Sequence, residues 1–148
     1  MKSALKKFVV NYSANITFVQ ALVATLGSLY FSQVMELTPC TLCWYQRILM
    51  YPIVLLSATG IILKDKNLSI YTLVLSIPGA LIALYHYMLQ LTGYDQIGFS
   101  TCSVATPCTN IEISFLGFIT IPLMSFVAFT IITVLNVANI IILRRNSK

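Results

Sequence analysis

The chain has 148 residues, enough for one domain, but it is 58% hydrophobic and 9% charged, with a mean hydropathy of +0.88. Soluble domains carry about 25% charged residues, so most of this surface is expected to face lipid. The net charge of +5 would point to nucleic acid only if the basic residues gathered on one binding surface, and their placement excludes that.

Four stretches lack Asp, Glu, Lys and Arg: residues 8–35, 48–63, 67–94 and 113–143. A membrane helix needs about 20 residues at 1.5 Å rise each. The first, third and fourth stretches meet that length directly, and the second does so if it starts at Trp44, with Trp44 and Tyr45 in the interfacial aromatic belt. The reading is an all-α membrane protein: a four-transmembrane-helix bundle in a single domain. Helices are expected at about 12–34, 44–63, 68–91 and 114–143, with outer loops at about 35–43 and 92–113. The first apolar stretch is read as a retained anchor, since no small-x-small cleavage site followed by a mature domain start is evident. Pro52, Pro78 and Pro122 fall inside spans and predict kinks. Gly27 with Ser28, Gly79 with Ala80, and Gly117 predict close helix contacts.

Lys2, Lys6, Lys7, Lys64, Lys66, Arg144, Arg145 and Lys148 all fall on one side of a four-span layout. Arg47 alone falls on the other, beside Glu36, Asp95 and Glu112. The positive-inside rule then puts both termini in the cytoplasm and both cysteine loops outside it. Disulfides persist in that compartment.

The cysteines form two pairs, Cys40/Cys43 and Cys102/Cys108. Cys40-Thr41-Leu42-Cys43 lies at the start of a helix, where the helix dipole favours a thiolate and a short disulfide exchanges readily. Arg47, four residues on, shares the helix face of Cys43. A catalytic redox pair is the favoured reading. The alternatives are a structural zinc site joining both pairs and a structural disulfide, which so short a loop makes a poor staple. Cys102/Cys108, with Pro107 between, reads either as an inert external bridge or as a second redox pair exchanging with the first. Gly93 and Gly98, with Tyr94, Ile97 and Phe99, suit a mobile loop resting on the membrane surface. Arg47 is an interfacial anchor or a functional charge. His86, the only histidine, is interfacial or a proton donor to a bound carbonyl compound.

Two thiols release two electrons and two protons. The chain has neither a haem-attachment pattern nor a Gly-rich dinucleotide fingerprint. A lipid-soluble two-electron acceptor, a quinone, therefore fits, with Arg47 polarising a ring oxygen.

The Pro-Cys-x-x-Cys with arginine four residues later, the string His86-Tyr87-Met88-Leu89-Gln90-Leu91, and the four-span layout over nearly the whole chain resemble the DsbB family of disulfide-bond formation proteins. Gly117-Phe118-Ile119-Thr120-Ile121-Pro122 is similar to its short Gram-positive branch, BdbC. The resemblance implies a bacterial plasma-membrane enzyme that reoxidises an extracytoplasmic thioredoxin-fold thiol oxidase and passes electrons to menaquinone or ubiquinone. By resemblance, Cys102 meets the partner, Cys108 passes electrons to Cys40, and Cys43 contacts quinone beside Arg47 and His86, with no metal. Better-known members separate the second cysteine pair by a couple of dozen residues, whereas five intervene here. Vitamin K epoxide reductase relatives, which also have four helices and paired cysteines, usually carry Cys-x-x-Cys late in the chain. The rival readings are a membrane thiol reductant carrier and a zinc- or disulfide-stapled tetraspan scaffold.

Overall fold

The computed structural model describes residues 2–65, 67–92, 114–115 and 119–146. Four helices dominate: α1 (Lys2–Gln33), α2 (Thr41–Leu63), α3 (Leu68–Thr92) and α4 (Ile121–Asn146). Two short antiparallel strands, β1 (Ser114–Phe115) and β2 (Ile119–Thr120), pair Ser114 with Thr120 just before α4. All four helices are long and apolar enough to cross a membrane, over Tyr12–Gln33, Thr41–Leu63, Leu68–Thr92 and Ile121–Arg145.

The burial pattern is that of a protein dissolved in lipid. Ile62, Leu63 and Leu55 are 78%, 76% and 70% exposed, while Ser13, Thr17, Ser57, Thr72, Ser76 and Asn136 are buried. In water that distribution would be unfavourable on both counts. In a bilayer the tails solvate leucine as well as a core does, and polar groups turn inward to find partners. Each helix packs on its sequence neighbours, and α1 closes the ring against α4, while α2 and α4 barely touch. The apolar centre comprises Ala21, Met50, Ile53, Ala83, Ala128, Phe129 and Ile132.

The α2–α3 turn explains its own sharpness. Lys64 takes a left-handed conformation at φ 51°, its N–H reaches the Ile61 carbonyl at 3.3 Å, and the Asp65 N–H reaches the Gly60 carbonyl at 3.0 Å. This Schellman arrangement satisfies the last carbonyls of α2. A Cβ on Gly60 would overlap the Leu68 side chain, so glycine lets α3 start close against α2.

Several expectations need adjusting. The fourth helix starts at Ile121 rather than near 114, because the β-branched Ile119-Thr120 segment is extended. Pro122 is consequently the second residue of α4, where its missing N–H costs nothing and its fixed φ favours the first turn. It starts that helix instead of kinking it. Pro52 and Pro78 do lie inside continuous helices. The second helix begins at Thr41, so Trp44 lies within its first turn rather than at its start. Gly79 makes the close contact expected of it: a Cβ there would collide with the Phe129 ring of α4. Gly27 does not, since a Cβ there would meet nothing within 4 Å. Gly117, Cys102, Cys108 and the glycine-containing segment 93–99 lie outside the described residues.

Candidate redox site

Cys40 caps α2. Its backbone is extended (φ −68°, ψ 169°), and its sulfur accepts the Cys43 N–H at 3.4 Å, one of the donors that a helix leaves unpaired at its start. That cap turns both side chains inward. The two Sγ atoms lie 3.1 Å apart and share a thiol hydrogen bond, and both cysteines are free thiols. Against Cys40 packs Leu89 of α3, with Leu42 from the first turn of α2.

His86 arrives from α3, 2% exposed. Its Nε2 is 3.7 Å from the Cys40 Sγ, and its Nδ1 is 3.1 Å from the Nε2 of Gln46, one helical turn inward from Cys43. A Gln46 amide N–H donated to Nδ1 leaves the ring proton on Nε2, aimed at Cys40. The Cys43 thiol shared with the Cys40 sulfur lowers the Cys40 pKa most, burial opposes it, and His86 and the Cys43 N–H lower it further; the net value is about 4, against an ordinary 9.0.

Arg47 is half-buried and committed to the facing helix. Its Nε donates to the Ser28 hydroxyl at 2.9 Å and its Nη2 to the Ser28 carbonyl at 3.1 Å, while its guanidinium lies 5.6 Å from the Trp44 ring centre. Two of its five N–H groups are thus held and the fork is fixed in place.

These side chains border a cavity of about 340 Å³ lined from all four helices. Cys40, Cys43, His86 and Gln90 share its lining with Arg47 and Ser28 and with Gln20, Ala24, Met50 and Tyr51. That volume falls within the range of small-molecule sites. The Cys40 and Cys43 sulfurs and a His86 ring nitrogen also lie within 4.8 Å of one another, so the same corner offers three soft ligands to a metal ion.

The structure therefore brings together Cys40, Cys43, Arg47 and His86, four of the six residues singled out from the sequence; Cys102 and Cys108 lie outside the described residues. His86 meets the cysteine sulfur directly, a contact the sequence did not announce. Gln46 was missed, although a glutamine inside an apolar span, three residues from Cys43, is itself a signal. Ser28 was read only as a small residue for helix contact, and it is the anchor of Arg47.

Fold and site together define a four-span membrane protein with two free thiols in the lining of a cavity between its helices. Comparison with known proteins narrows this. Residues 11–139 match the family described as "Disulfide bond formation protein DsbB". A "Probable disulfide formation protein" of Oceanobacillus iheyensis is 44% identical over 133 residues, covering 90% of each chain. "Disulfide bond formation protein C" of Bacillus subtilis is 43% identical over 119 residues, covering 80% of this chain and 85% of the relative. A "Probable disulfide formation protein C" of Halalkalibacterium halodurans is 45% identical over 116 residues, covering 78% and 84%. No solved structure matches the chain. The chain belongs to the DsbB family, and is a multi-pass membrane disulfide oxidoreductase.

Proposed function

We propose that the protein is a quinone-dependent thiol oxidase. It takes two electrons from an extracytoplasmic thioredoxin-fold thiol oxidase and delivers them to membrane menaquinone or ubiquinone, so supporting disulfide formation in secreted proteins. The observation that carries this reading is that two free thiols line a cavity together with an arginine held in place by Ser28. The site lies in the bacterial plasma membrane with both cysteine loops outside the cytoplasm. The clustering of Lys64, Arg144 and Arg145 on the opposite side supports this orientation.

The residues fit a quinone. The cavity has apolar walls from Val23, Ala24, Phe31 and Met50, open space at Gly27, and N–H donors of Arg47 along its flank. Bound there, a quinone supplies a two-electron, two-proton acceptor. Arg47 would hold a carbonyl oxygen beside Cys43, and its positive charge favours electron density moving that way. His86, oriented by Gln46, holds a proton at Nε2 against Cys40 and keeps the thiolate form available for exchange.

The exchange steps balance. Partner dithiol and the Cys102–Cys108 disulfide yield partner disulfide and the Cys102/Cys108 thiols, with Cys102 the first to meet the partner. Those thiols then reduce a Cys40–Cys43 disulfide through Cys108 and Cys40. The Cys40 and Cys43 thiols finally lose two electrons and two protons as their sulfur–sulfur bond forms, with Cys43 nearest the acceptor.

The test is a thiol count. The purified protein is reduced, freed of reductant and mixed with a soluble quinone without oxygen. Loss of four thiols with two quinones reduced is expected. Loss of two would return Cys102/Cys108 to an inert bridge. No loss would reject the oxidase, and stoichiometric bound zinc would then favour the stapled scaffold.

A further inference from the structure

We propose that the reduced Cys40/Cys43 pair and His86 together bind a divalent thiophilic ion, zinc, which holds the dithiol reduced and silences the enzyme. The site rests on geometry alone, and its inhibitory consequence rests on the oxidase reading above.

The sulfurs of Cys40 and Cys43 and a ring nitrogen of His86 all lie within 4.8 Å of one another. Zinc binds sulfur at about 2.3 Å and imidazole nitrogen at about 2.0–2.1 Å, so a sulfur and a nitrogen in a tetrahedral or trigonal shell stand about 3.6–3.8 Å apart. The Cys40 Sγ to His86 Nε2 distance, 3.7 Å, already has that value. Two sulfur ligands stand about 3.8–4.0 Å apart on the same bond lengths. Here they are 3.1 Å apart, drawn together by a thiol hydrogen bond that ends once both are thiolates. Cys43, half-buried, then needs to shift by less than about 1 Å. All three residues line the cavity, which supplies an entry path and room for a water as fourth ligand.

Charge selects the ion. Two thiolates and a neutral imidazole carry two negative charges, which a divalent cation cancels. Cys40 and His86 are 8% and 2% exposed, so a site without net charge avoids a large desolvation cost. Cu(I) on the same ligands would leave one negative charge, and magnesium or calcium would want oxygen ligands. No electrons move when the site forms. Zinc displaces the thiol protons to solvent, and the His86 proton passes from Nε2 to Nδ1. Gln46, with its amide nitrogen 3.1 Å from Nδ1, serves either tautomer. Turned end for end, its amide presents an oxygen to the Nδ1 proton, the kind of support that metal-bound histidines ordinarily have. While the ion stays, both sulfurs are committed to it and cannot join as a disulfide.

The test reads metal before turnover. The full-length protein, reduced and held in detergent without oxygen, is given zinc, desalted and assayed for bound metal. X-ray absorption at the zinc edge then counts the ligands. One zinc per protein is expected, with two sulfur neighbours and nitrogen or oxygen for the rest. The same is expected with Cys102→Ser and Cys108→Ser together, and no zinc after oxidation to the disulfide. Gln46→Leu is expected to weaken binding about ten- to a hundredfold, read by competition with a chromophoric chelator. Absence of stoichiometric zinc, four sulfur neighbours, or loss of zinc with Cys102 and Cys108 would overturn the site. The wild-type measurement stands even if a variant folds poorly. Quinone reduction that zinc stops and a chelator restores is the expected consequence. Reduction unaffected by bound zinc would overturn the inhibition alone. No reduction even without zinc would overturn the oxidase reading, and the inhibition with it, while leaving the zinc site.

Discussion

The α3–α4 seam and the α1–α2 seam are built from the same parts and end in opposite states. Along α3–α4, Gly79 receives the Phe129 ring, the Thr133 hydroxyl donates to Ser76 at 3.0 Å, and the Asn139 amide donates to Ser69 at 2.8 Å. These three contacts close the gap between the helices. Along α1–α2, Gly27 faces open space, and Ser28 accepts two bonds from an arginine that lies beside a cavity. Small residues and hydroxyls thus serve as glue in one seam and as the wall of a site in the other. What separates them is the facing residue: a phenylalanine that fills space, or an arginine whose anchored fork leaves it open.

The largest effect should come from the open seam's chemistry. Cys43→Ser is expected to reduce electron transfer to quinone to the uncatalysed background while leaving the fold intact, as measured by anaerobic quinone absorbance and by the thermal transition. Retained transfer would move the terminal thiol elsewhere.

Next is the support behind Cys40. Its pKa, lowered to about 4 from an ordinary 9.0, means thiolate predominates above pH 4. Alkylation of Cys40 in the reduced protein should therefore be nearly flat from pH 6 to 9, where an ordinary thiol would gain about tenfold per unit. The folded value lies below the unfolded one, so the stabilisation of the reduced fold is full above pH 9 and is lost as pH falls toward 4. Gln46→Leu, which removes the bond to the His86 Nδ1, should move that alkylation profile to higher pH and slow exchange by roughly tenfold, about 1.4 kcal/mol. A profile unmoved by Gln46→Leu would reduce Gln46 to packing.

The two glycines offer the most direct exchange of properties. Gly79→Ala forces its Cβ into the Phe129 ring and should cost about 1–3 kcal/mol. Gly27→Ala, with nothing to meet, should be neutral or stabilising by up to about 1 kcal/mol. Unfolding from detergent micelles by denaturant reads both. Equal losses would mean the two seams pack alike. The smallest effect is expected from Asn139→Ala, about 0.6 kcal/mol for an interhelical hydrogen bond in a membrane protein, with quinone affinity unchanged.

The spans, the Cys40/Cys43 pair and Arg47 were legible because each is a local signal: a run of apolar residues, a spacing of three, a lone charge on one face. The links that make a site of them join distant positions. Gln46 meets His86 across 40 residues and Arg47 meets Ser28 across 19, and no periodicity within one helix reports which residue stands opposite. The same limit explains Gly27 and Gly79, identical as letters and distinguished only by the facing helix. Pro122 differs for another reason: a charge-free run does not mark where a helix begins, and the start of this one depends on the extended Ile119-Thr120 pair before it.

In the proposed relay, Cys40 and Cys43 by themselves hand two electrons to a quinone. The most direct measurement uses the full-length chain carrying Cys102→Ser and Cys108→Ser. It is reduced, freed of reductant and mixed without oxygen with a soluble 1,4-quinone, and thiols and quinol are counted together. Two thiols should disappear per protein and one quinol should form. Two thiols persisting, with the quinone unchanged, would contradict it.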